Sequence, residues 1–527
     1  MRETVRCYNG MVTSPHALAS EAGLAVLRAG GNAVEAAVAT AAAIAVVYPH
    51  MTGIGGDGFW IIAEPGVAPI AIDAAGPAAA AATPERYRGL DRLPTRGPGA
   101  ALTVPGTISG WAAALAHAER WGAGLPLDRI LADAIAYARD GVPVTPSQAR
   151  YSEDKLADLS DQPGFAATYL IDGVAPRAGA RFCQPALAAT LARLAEAGLD
   201  DFYRGELAAA LAADLAAAGS PLAASDFAQQ RARIVAPLSV SLPIGTVHVL
   251  PPPTQGFCTA MILGILARMP LDRADDVHFV HTLVEATKRA FRVRDAELAD
   301  PLSMRVDVAE QLSSFVLARE AAAIAPNRAA PWPMPEDEGG TIWLGVIDGE
   351  GRAVSLIQSL YWEFGSGVVS PRTGVVLQNR GAGFSLDPQH PNHLTPGRRP
   401  YHTLNPSFAR LKDGRDVVFG TMGGDGQPQF QAAVFARYAL FGQEPQRAVS
   451  APRWLLGRTW GADSVTLKLE ADWPDTLISQ LETIGHPVER LPVWSDTCGH
   501  AGLIARHANG LLEGASDPRS DGRVAGW

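Results

Sequence analysis

The chain has 527 residues, of which 47% are hydrophobic and 19% charged, and its formal net charge is -10 at pH 7. This length and apolar content suffice for one large core or for two to three ordinary domains. The acidic balance argues against nucleic acid as the partner, because phosphate binding needs clustered positive charge. The longest apolar stretch, residues 36–48, is shorter than the ~20 residues that span a bilayer, so we predict a buried helix and no membrane association.

The four cysteines stand far apart and form no C-x-x-C pair. Neither a zinc knuckle nor a disulfide scaffold is therefore predicted, and reduced thiols in a cytoplasmic protein are expected. Residues 1–12 contain no apolar segment of the kind found in secretory signals, so no such signal is expected.

The first part of the chain is predicted to be mainly helical. Apolar residues recur with a helical period over 16–28, Gly30 and Gly31 then stop the helix, and Asn32 is placed to cap the next one. Helices are predicted over 16–28, 33–47, 107–121, 128–140, 185–197, 205–218, 255–268 and 276–298.

From residue 341 onward the pattern changes to strands. Residues 342–347 and 353–360 flank Asp348-Gly349, which is a strong hairpin signal. Helices followed by strands indicate layered α and β structure. Also predicted are short strands at 375–378 and 417–419, a helix at 427–441, a strand–helix–strand unit within 464–505, and long loops at 322–340 and 385–400.

The glycine-rich segment 53–58 matches G-x-G-x-x-G. A dinucleotide site needs a strand before this motif and a helix after it. The predicted order is the reverse, a helix before and a strand at 59–62 after, so we expect a loop whose glycines allow a close backbone approach. The chain contains neither the G-x-S-x-G of α/β-hydrolases nor the G-x-x-x-x-G-K-[ST] of P-loop enzymes.

Three potential metal ligands, His278, His281 and Glu285, share one face of a predicted helix. Their order is not H-E-x-x-H, so an ordinary helix surface is favoured over a metal site. We predict neither a metal nor an organic cofactor.

Gly339-Gly340-Thr341 follows the acidic run 335–338 and opens into an apolar strand. Cutting the Gly340–Thr341 bond would give Thr341 a free α-amine next to its own hydroxyl. An amine with a pKa near ~8 can act as the general base that a threonine hydroxyl otherwise lacks.

A second glycine-rich segment, 420–426, lies between a predicted strand and a predicted helix. Consecutive backbone N–H groups at such a position can stabilise an oxyanion, although a plain strand-to-helix turn would have the same sequence. Both interpretations stay open on this pattern alone.

Several such segments, taken in order, resemble the γ-glutamyltranspeptidases, which are self-cleaving N-terminal-nucleophile hydrolases. Any one of the matches is weak, and the ordered set is strong. The matching segments are 10–12, 30–37, 55–59, 104–107, 251–254, 285–291, 339–341, 364–367 and 423–424.

The resemblance implies a four-layer αββα fold and cleavage into a large subunit, 1–340, and a small subunit, 341–527. The two subunits would form one intertwined unit, with a dimer of such heterodimers as one option for the assembly. By the same resemblance, Thr341 is the nucleophile, Gly423 and Gly424 hold the oxyanion, and Ser359 hydrogen-bonds the nucleophile.

The positions where the family anchors a glutamyl group are changed in this chain. Asp73 stands where the family has an arginine, Gly383 where it has an acid, and His402-Thr403 where it has paired serines. Because a site that pairs with a zwitterion loses several kcal/mol when its charged partners go, we expect γ-glutamyl compounds to be poor substrates.

Aromatic residues indicate a small pocket, unless they are packed in the core: Trp60, Trp343, Tyr361 and Trp362. Arg380 and His402 are candidates to pair with a substrate carboxylate, and Tyr361 and Thr403 are candidates to line the pocket. Whether Arg398 or Arg399 takes part is left open. Within the family, segments 49–60 and 401–406 resemble the oxamate amidohydrolases of purine-ureide breakdown, which implies oxamate as the substrate.

Three alternatives remain. One is a γ-glutamyl hydrolase or transpeptidase, and the second is an acylase for a larger amide such as a glutaryl-cephalosporin. The third is a non-catalytic binding protein on the same scaffold, which would leave the chain uncut.

Overall fold

The computed structural model of the protein describes residues 2–332, 340–457 and 465–527. The helices are α1 (Ala17–Arg28), α2 (Ala33–Val47), α3 (Thr107–Ala118), α4 (Leu127–Asp140), α5 (Pro146–Asp154), α6 (Leu156–Leu159), α7 (Phe165–Tyr169), α8 (Pro185–Ala197), α9 (Asp201–Arg204), α10 (Glu206–Ala218), α11 (Ala224–Gln229), α12 (Gly256–Leu266), α13 (Val277–Glu297), α14 (Val308–Gln311), α15 (Ser314–Ala322), α16 (Gln427–Phe435), α17 (Pro445–Ser450) and α18 (Asp475–Ile484).

The strands are β1 (Val5–Cys7), β2 (Gly10–Ser14), β3 (Asp57–Ala63), β4 (Ile70–Ala74), β5 (Val142–Pro143), β6 (Arg181–Phe182), β7 (Arg233–Val235), β8 (Leu238–Leu242), β9 (Gly245–Val249), β10 (Gly340–Asp348), β11 (Ala353–Tyr361), β12 (Ser407–Leu411), β13 (Asp416–Thr421), β14 (Trp454–Leu456), β15 (Leu467–Glu470), β16 (Val488–Leu491), β17 (Ala501–Arg506), β18 (Leu512–Ser516) and β19 (Arg523–Gly526).

Most strands belong to two antiparallel sheets. The first sheet has the order β1-β18-β17-β13-β12-β9-β8, and the second has the order β19-β2-β10-β11-β3-β4-β7. Both sheets combine strands that precede Thr341 with strands that follow it. In the second sheet, β10 pairs with β2 on one side and with β11 on the other.

The two sheets stack face to face and helices cover both outer faces. The α1, α2 and α3 helices pack on the outer face of the second sheet, with α4 packed on α2. The α12 and α16 helices pack on the outer face of the first sheet, with α13 packed on α12. Strand β10 is buried on both faces, with Trp343 turned into the space between the sheets and Leu344 turned toward the helices, so its sequence is continuously apolar. The predicted αββα layering is confirmed.

Helix α2 is buried along its whole length, because it lies between the second sheet and other helices. Its alanines let these backbones approach closely. Asn32 accepts hydrogen bonds from the backbone N–H groups of Val34 and Glu35, and the Glu35 carboxylate accepts from the N–H of Asn32. This capping box explains why the helix begins where the sequence predicts.

The predicted helices and the β10–β11 hairpin agree with the structure to within a few residues, and α16 continues as a π-helical turn over Ala436–Leu440. The predicted strand at 375–378 is wrong. Val376 forms only an isolated bridge with Val369, because the backbone of this segment bonds to neighbouring loops, as in the 3.0 Å contact from Gln378 N–H to the Gly55 carbonyl. The acidic run 335–338 and Gly339 lie outside the described residues.

All four cysteines, Cys7, Cys183, Cys258 and Cys498, are unpaired thiols, as predicted. Within the described ranges, no helix combines the length and apolar content needed to cross a bilayer.

Candidate active site

Thr341 lies near the start of β10, where its side chain is completely buried. Its hydroxyl donates a hydrogen bond of 3.1 Å to the Ser359 hydroxyl on β11, and that oxygen also accepts the N–H of Tyr361 at 2.8 Å. The register of the two strands shifts between Gly340 and Ile342, and such a bulge turns the side chain beside it in a new direction. The Thr341 hydroxyl is therefore held in a defined orientation against Ser359.

The first glycine-rich loop, 53–58, packs directly behind this hydroxyl pair. A Cβ atom at Gly56 would lie 1.9 Å from the Ser359 carbonyl oxygen, and one at Gly55 would lie 2.0 Å from the carbonyl of Val376. Only glycine fits such an approach. The expected close backbone approach is confirmed. The loop follows helix α2 and precedes strand β3, which is the reverse of the strand–loop–helix order that dinucleotide binding requires.

Trp343 fixes β10 relative to the first sheet. A Cβ atom at Gly420 would lie 2.2 Å from the indole ring and one at Gly502 would lie 2.3 Å from it, so the ring fills space that two strands leave open. Its Nε1–H donates a 2.9 Å hydrogen bond to Ser355. This packing places the Thr341 end of β10 at the same end of the sandwich as the glycine turn after β13.

The aromatic residues therefore divide into two groups. Trp343 belongs to the core between the sheets, and Trp60 belongs to the core between the second sheet and its helices. Their interpretation as pocket walls is wrong, and core packing is the correct one. Tyr361 is the aromatic residue that adjoins the Thr341–Ser359 pair, and Trp362 next to it stacks against Arg96 with 5.5 Å from the guanidinium carbon to the ring centre.

The glycine turn after β13 has a backbone that other residues rarely adopt. Gly423 has a φ of 124° and Gly424 has a φ of 50°, and a Cβ atom on Gly423 would also lie 2.8 Å from the Phe430 ring. The N–H of Gly426 closes the turn on the Gly423 carbonyl at 2.8 Å before α16 begins. The predicted strand–turn–helix arrangement is therefore present, and it is the one required both for an oxyanion site and for a plain strand-to-helix turn.

Gln255 is hydrogen-bonded to this turn through its side chain. Its side-chain amide donates 2.9 Å hydrogen bonds to the carbonyl oxygens of both Gly424 and Thr403. Its own carbonyl oxygen accepts a 3.1 Å hydrogen bond from Arg294, which is also ion-paired with Asp425 at 3.2 Å. The side chain of Gln255 is fully buried. It thus joins the glycine turn to the segment that carries His402 and Thr403.

Arg380 brings a positive charge into this buried region. Its guanidinium carbon lies 3.5 Å from the centre of the Tyr361 ring. One Nη atom donates to the Thr403 hydroxyl at 2.9 Å and the other to the Tyr401 carbonyl at 3.4 Å. The side chain is 1% exposed, so water screens its charge very little.

His402 pairs with an aspartate from the first glycine loop. The Nε2 atom of His402 lies 2.9 Å from Oδ2 of Asp57, and Oδ1 of Asp57 accepts 3.0 Å hydrogen bonds from the N–H groups of Gly76 and Gly106. Burial raises the pKa of Asp57 to about 7. Burial and then the neighbouring Arg380 hold the pKa of His402 well below its ordinary value. Asp57 faces Ser359 across β3 and β11, so the pair adjoins the Thr341 site.

Asp73 does not present a free carboxylate. Its carboxylate is ion-paired with Arg399, and Arg233 lies 3.2 Å from it. Arg399 also bonds to Asp300 at 3.0 Å. All three of Asp73, Arg399 and Asp300 are buried. Two carboxylates therefore neutralise the Arg399 guanidinium, whereas Arg380 lies against Tyr361, beside Thr341 and Ser359.

The potential metal ligands on α13 lie away from these residues. His278 is exposed, whereas His281 and Glu285 are buried with His486, and ligand atoms of these three lie within 4.8 Å of one another. The two imidazoles bond directly at 2.8 Å, and Lys288 lies 2.7 Å from the Glu285 carboxylate. The lysine opposes a cation, and the two imidazoles bond each other, so we assign the cluster to packing. The expected helix surface is wrong for His281 and Glu285, because His486 and Lys288 cover them.

Hydrogen bonds, ring contacts and strand pairing connect every residue that the sequence predicts for the site. Sequence reasoning missed Asp57 and Gln255. Asp57 has a detectable signal, since it interrupts the first glycine loop, whereas Gln255 has none. The connected residues are Gly340, Thr341, Ser359, Tyr361, Arg380, His402, Thr403, Gly423 and Gly424.

Known proteins resemble the chain over its whole length. It is 56% identical over 520 residues to an oxamate amidohydrolase proenzyme of Klebsiella pneumoniae, covering 98% of each chain. It is 39% identical over 529 residues to a glutathione hydrolase-like proenzyme, YwrD, of Bacillus subtilis, covering 100% of each. The crystal structure of a cephalosporin acylase from Bacillus halodurans matches with a TM-score of 0.91 and 36% identity, covering 100% of this chain and 97% of that one.

These relatives support the assignment of the chain as an amidohydrolase enzyme, and two of them are described as proenzymes. The family model described as gamma-glutamyltranspeptidase matches residues 19–527. The chain belongs to the gamma-glutamyltranspeptidase family.

Proposed function

We propose that the protein is a self-processing amidohydrolase whose substrate is a small carboxylated amide, with oxamate as that amide and with oxalate and ammonia as the products. The observation that carries this proposal is the buried Arg380 guanidinium, which lies against Tyr361 next to the Thr341–Ser359 pair. A carboxylate beside the reacting amide would pair with it strongly in this water-poor setting. The 56% identity to the Klebsiella oxamate amidohydrolase proenzyme supports the choice of oxamate.

Thr341 supplies both nucleophile and base in this mechanism. Its hydroxyl oxygen attacks the amide carbon and the hydroxyl proton passes to the α-amine, while the N–H groups of Gly423 and Gly424 hold the oxyanion. The C–N bond then breaks, and the α-ammonium returns the proton to the departing ammonia. Water, deprotonated by the same amine, attacks the ester, and the C–O bond breaks to restore the threonine hydroxyl. The sum is oxamate plus water giving oxalate and ammonium.

The same hydroxyl would create the active enzyme. It attacks the Gly340 carbonyl, the peptide C–N bond breaks to leave an ester and a free α-amine, and water hydrolyses the ester. The products are subunits 1–340 and 341–527, which we expect to remain together because each of the two sheets pairs strands of one subunit with strands of the other. The chemistry calls for no metal or organic cofactor, and a dimer of such heterodimers is one option for the assembly.

Two other activities of the family are weaker candidates. A γ-glutamyl hydrolase needs a cation for the glutamyl α-carboxylate, but Asp73 stands where the family has an arginine and is neutralised by Arg399. An acylase for a larger amide has support from the match to the cephalosporin acylase. The complete burial of Thr341, Ser359 and Tyr361 favours a small substrate instead.

The proposal is tested by processing and by substrate choice together. Purified protein is analysed by denaturing gel and intact mass, and ammonia release is measured with oxamate, glutathione and glutaminamide. We expect fragments that split at Thr341 and turnover of oxamate alone. Two fragments with glutathione preferred would keep the nucleophile and overturn the substrate, and an uncut chain would favour a binding protein.

Thr341→Ala and Thr341→Ser are the matched variants for this test. The alanine variant should stay as one chain of 55.4 kDa, because the nucleophile is gone. The serine variant keeps a hydroxyl and should still be processed. Complete cleavage of the alanine variant would refute the mechanism.

A further inference from the structure

Hydrogen bonds determine which carboxylate oxygen of Asp57 and which ring nitrogen of His402 face each other. Oδ1 of Asp57 accepts the N–H groups of Gly76 and Gly106, so Oδ2 is the oxygen that meets Nε2 of His402. The other ring nitrogen of His402, Nδ1, is buried and has no hydrogen-bond partner among the described residues. An unpartnered buried polar atom is costly, and a ligand that pairs with it removes that cost.

The number of protons on the pair decides what Nδ1 can do. When Asp57 is ionised and His402 neutral, the ring hydrogen must lie on Nε2 to meet the carboxylate, and Nδ1 is a bare acceptor. When the pair holds one more proton, a hydrogen lies between Oδ2 and Nε2 and a second lies on Nδ1. Nδ1 then becomes a donor.

Beyond the effect of burial, Arg380 lies close enough to His402 for its positive charge to lower the pKa of the imidazole. Its two Nη atoms bond to the Tyr401 carbonyl and the Thr403 hydroxyl, which are on the two residues that flank His402. Besides Arg380 and His402, Tyr203 is a titratable group close enough to feel the charge of Asp57, and burial raises the pKa of its phenol, so it stays neutral. With Asp57 ionised, the charges of Asp57 and Arg380 cancel. With the pair protonated, the net charge is positive.

We propose that Asp57 and His402 form a carboxylate-recognition element that takes up one proton when substrate binds and presents the Nδ1–H of His402 to the substrate carboxylate beside Arg380. This inference rests on the proposed function, because it assumes a carboxylated substrate. The pKa of about 7 that burial gives Asp57 agrees with proton uptake near neutral pH. Asp57 is a positioning residue here, since it acts through His402.

Asp57→Asn is a diagnostic change, because it should imitate the protonated pair. The asparagine oxygen can keep the two backbone N–H groups of Gly76 and Gly106, so its NH₂ group must donate to Nε2 of His402. The ring hydrogen is then confined to Nδ1, which becomes a permanent donor. A residue with a purely structural role would give no such gain of function at high pH.

The test uses the processed enzyme and oxalate, the proposed product, as the probe. Calorimetric titration in buffers with different ionisation enthalpies counts the protons taken up on binding. At pH 8 we expect the wild-type protein to take up about one proton and Asp57→Asn to take up none, since one group titrates. Asp226→Asn is the matched control, because Asp226 is a buried carboxylate that accepts the N–H groups of Ala80 and Ala223 without a histidine. The Asp226→Asn variant should take up about one proton, as the wild-type protein does.

Kinetics give a second measurement. KM for oxamate should rise about tenfold per pH unit above the pKa of the pair in wild type, with kcat little changed, and should stay flat in Asp57→Asn. If that variant does not fold, His402→Gln serves in its place and should also lose the proton uptake, with weaker oxalate binding.

The outcomes separate the two proposals. Equal proton uptake in wild type and Asp57→Asn, or none in wild type, overturns the role of the pair even if oxamate is hydrolysed. Oxalate binding with Asp57-dependent uptake but without oxamate hydrolysis supports the pair and overturns oxamate as the substrate.

Discussion

The hydroxyl of Thr341 donates a hydrogen bond of 3.1 Å to the hydroxyl of Ser359, which lies on the adjacent strand of the same hairpin. Ser359 is itself oriented, because its oxygen accepts the N–H of Tyr361. This contact aligns the side chain that we propose as the nucleophile for both processing and catalysis. Its strength is measurable by removing the serine hydroxyl.

Ser359→Ala should slow both processing and oxamate turnover by about tenfold, the effect of losing one buried hydrogen bond. Fragment formation on a denaturing gel over time and initial rates of ammonia release measure the two effects. Ser355→Ala is the control on the same strand, because its hydroxyl bonds to the indole of Trp343 instead. That variant should lose stability and keep its processing rate. Equal rates for Ser359→Ala and wild type would contradict a role for the contact.

Features that are formed by contiguous residues can be predicted from the sequence. Thr341, the hairpin and the glycine turn are contiguous patterns, so their elements could be placed without knowing the tertiary structure. The contact between Asp57 and His402 joins residues 345 positions apart, and nothing in a single sequence pairs them. The sequence leaves Trp343 open between a pocket wall and the core for the same reason, since its burial depends on Gly420 and Gly502 in two distant strands.

Gln255 offers a test of the glycine turn. Gln255→Met removes the amide that donates to the carbonyls of Gly424 and Thr403 while keeping the side-chain volume. We expect kcat to fall by about ten- to a hundredfold with a smaller change in KM, because the Gly423 and Gly424 N–H groups, which we propose to hold the oxyanion, would no longer be fixed in place.

The matched control for this change is Gln184→Met. Gln184 is also buried and its amide donates to the Val46 carbonyl at 2.8 Å, on the helical side of the second sheet. It should lower stability without a specific loss of kcat. If both variants lost kcat equally, the effect would be one of general destabilisation.

The buried ion pair of Glu285 and Lys288 anchors the segment that leads toward the cleavage site that we propose between Gly340 and Thr341. Lys288 donates to the Ala330 carbonyl at 2.7 Å, and the N–H of Ala330 lies 3.2 Å from the Glu285 carboxylate. Lys288→Met leaves a buried carboxylate without its partner and should lower the free energy of unfolding by about 3–5 kcal/mol. It should also slow fragment formation, because the anchored segment loosens.

The double variant Glu285→Gln/Lys288→Met tests whether the unpaired Glu285 carboxylate causes the loss of stability. It removes both charges, so urea denaturation should give a smaller loss of stability than Lys288→Met alone. An equal or larger loss in the double variant would argue that packing of the lysine stem matters more than the unpaired charge.

The pKa of Asp57 predicts a dependence of stability on pH. Burial raises this pKa to about 7 in the folded protein, whereas the unfolded chain has an ordinary aspartate. Between these two values the folded state binds more protons, so the contribution of Asp57 to stability is fully present below the unfolded pKa and is lost as the pH rises toward 7. Asp57→Asn has no such proton to bind.

The difference in unfolding free energy between wild type and Asp57→Asn should therefore shift in favour of wild type as the pH falls from 7 to 4. The shift is at most about 1.4 kcal/mol per pH unit for a single group. Urea denaturation at each pH measures it, and Asp226→Asn again serves as the reference carboxylate. A difference that is constant across this range would mean that Asp57 stays ionised in the folded protein, and that the proton needed to make His402 a donor must come from elsewhere.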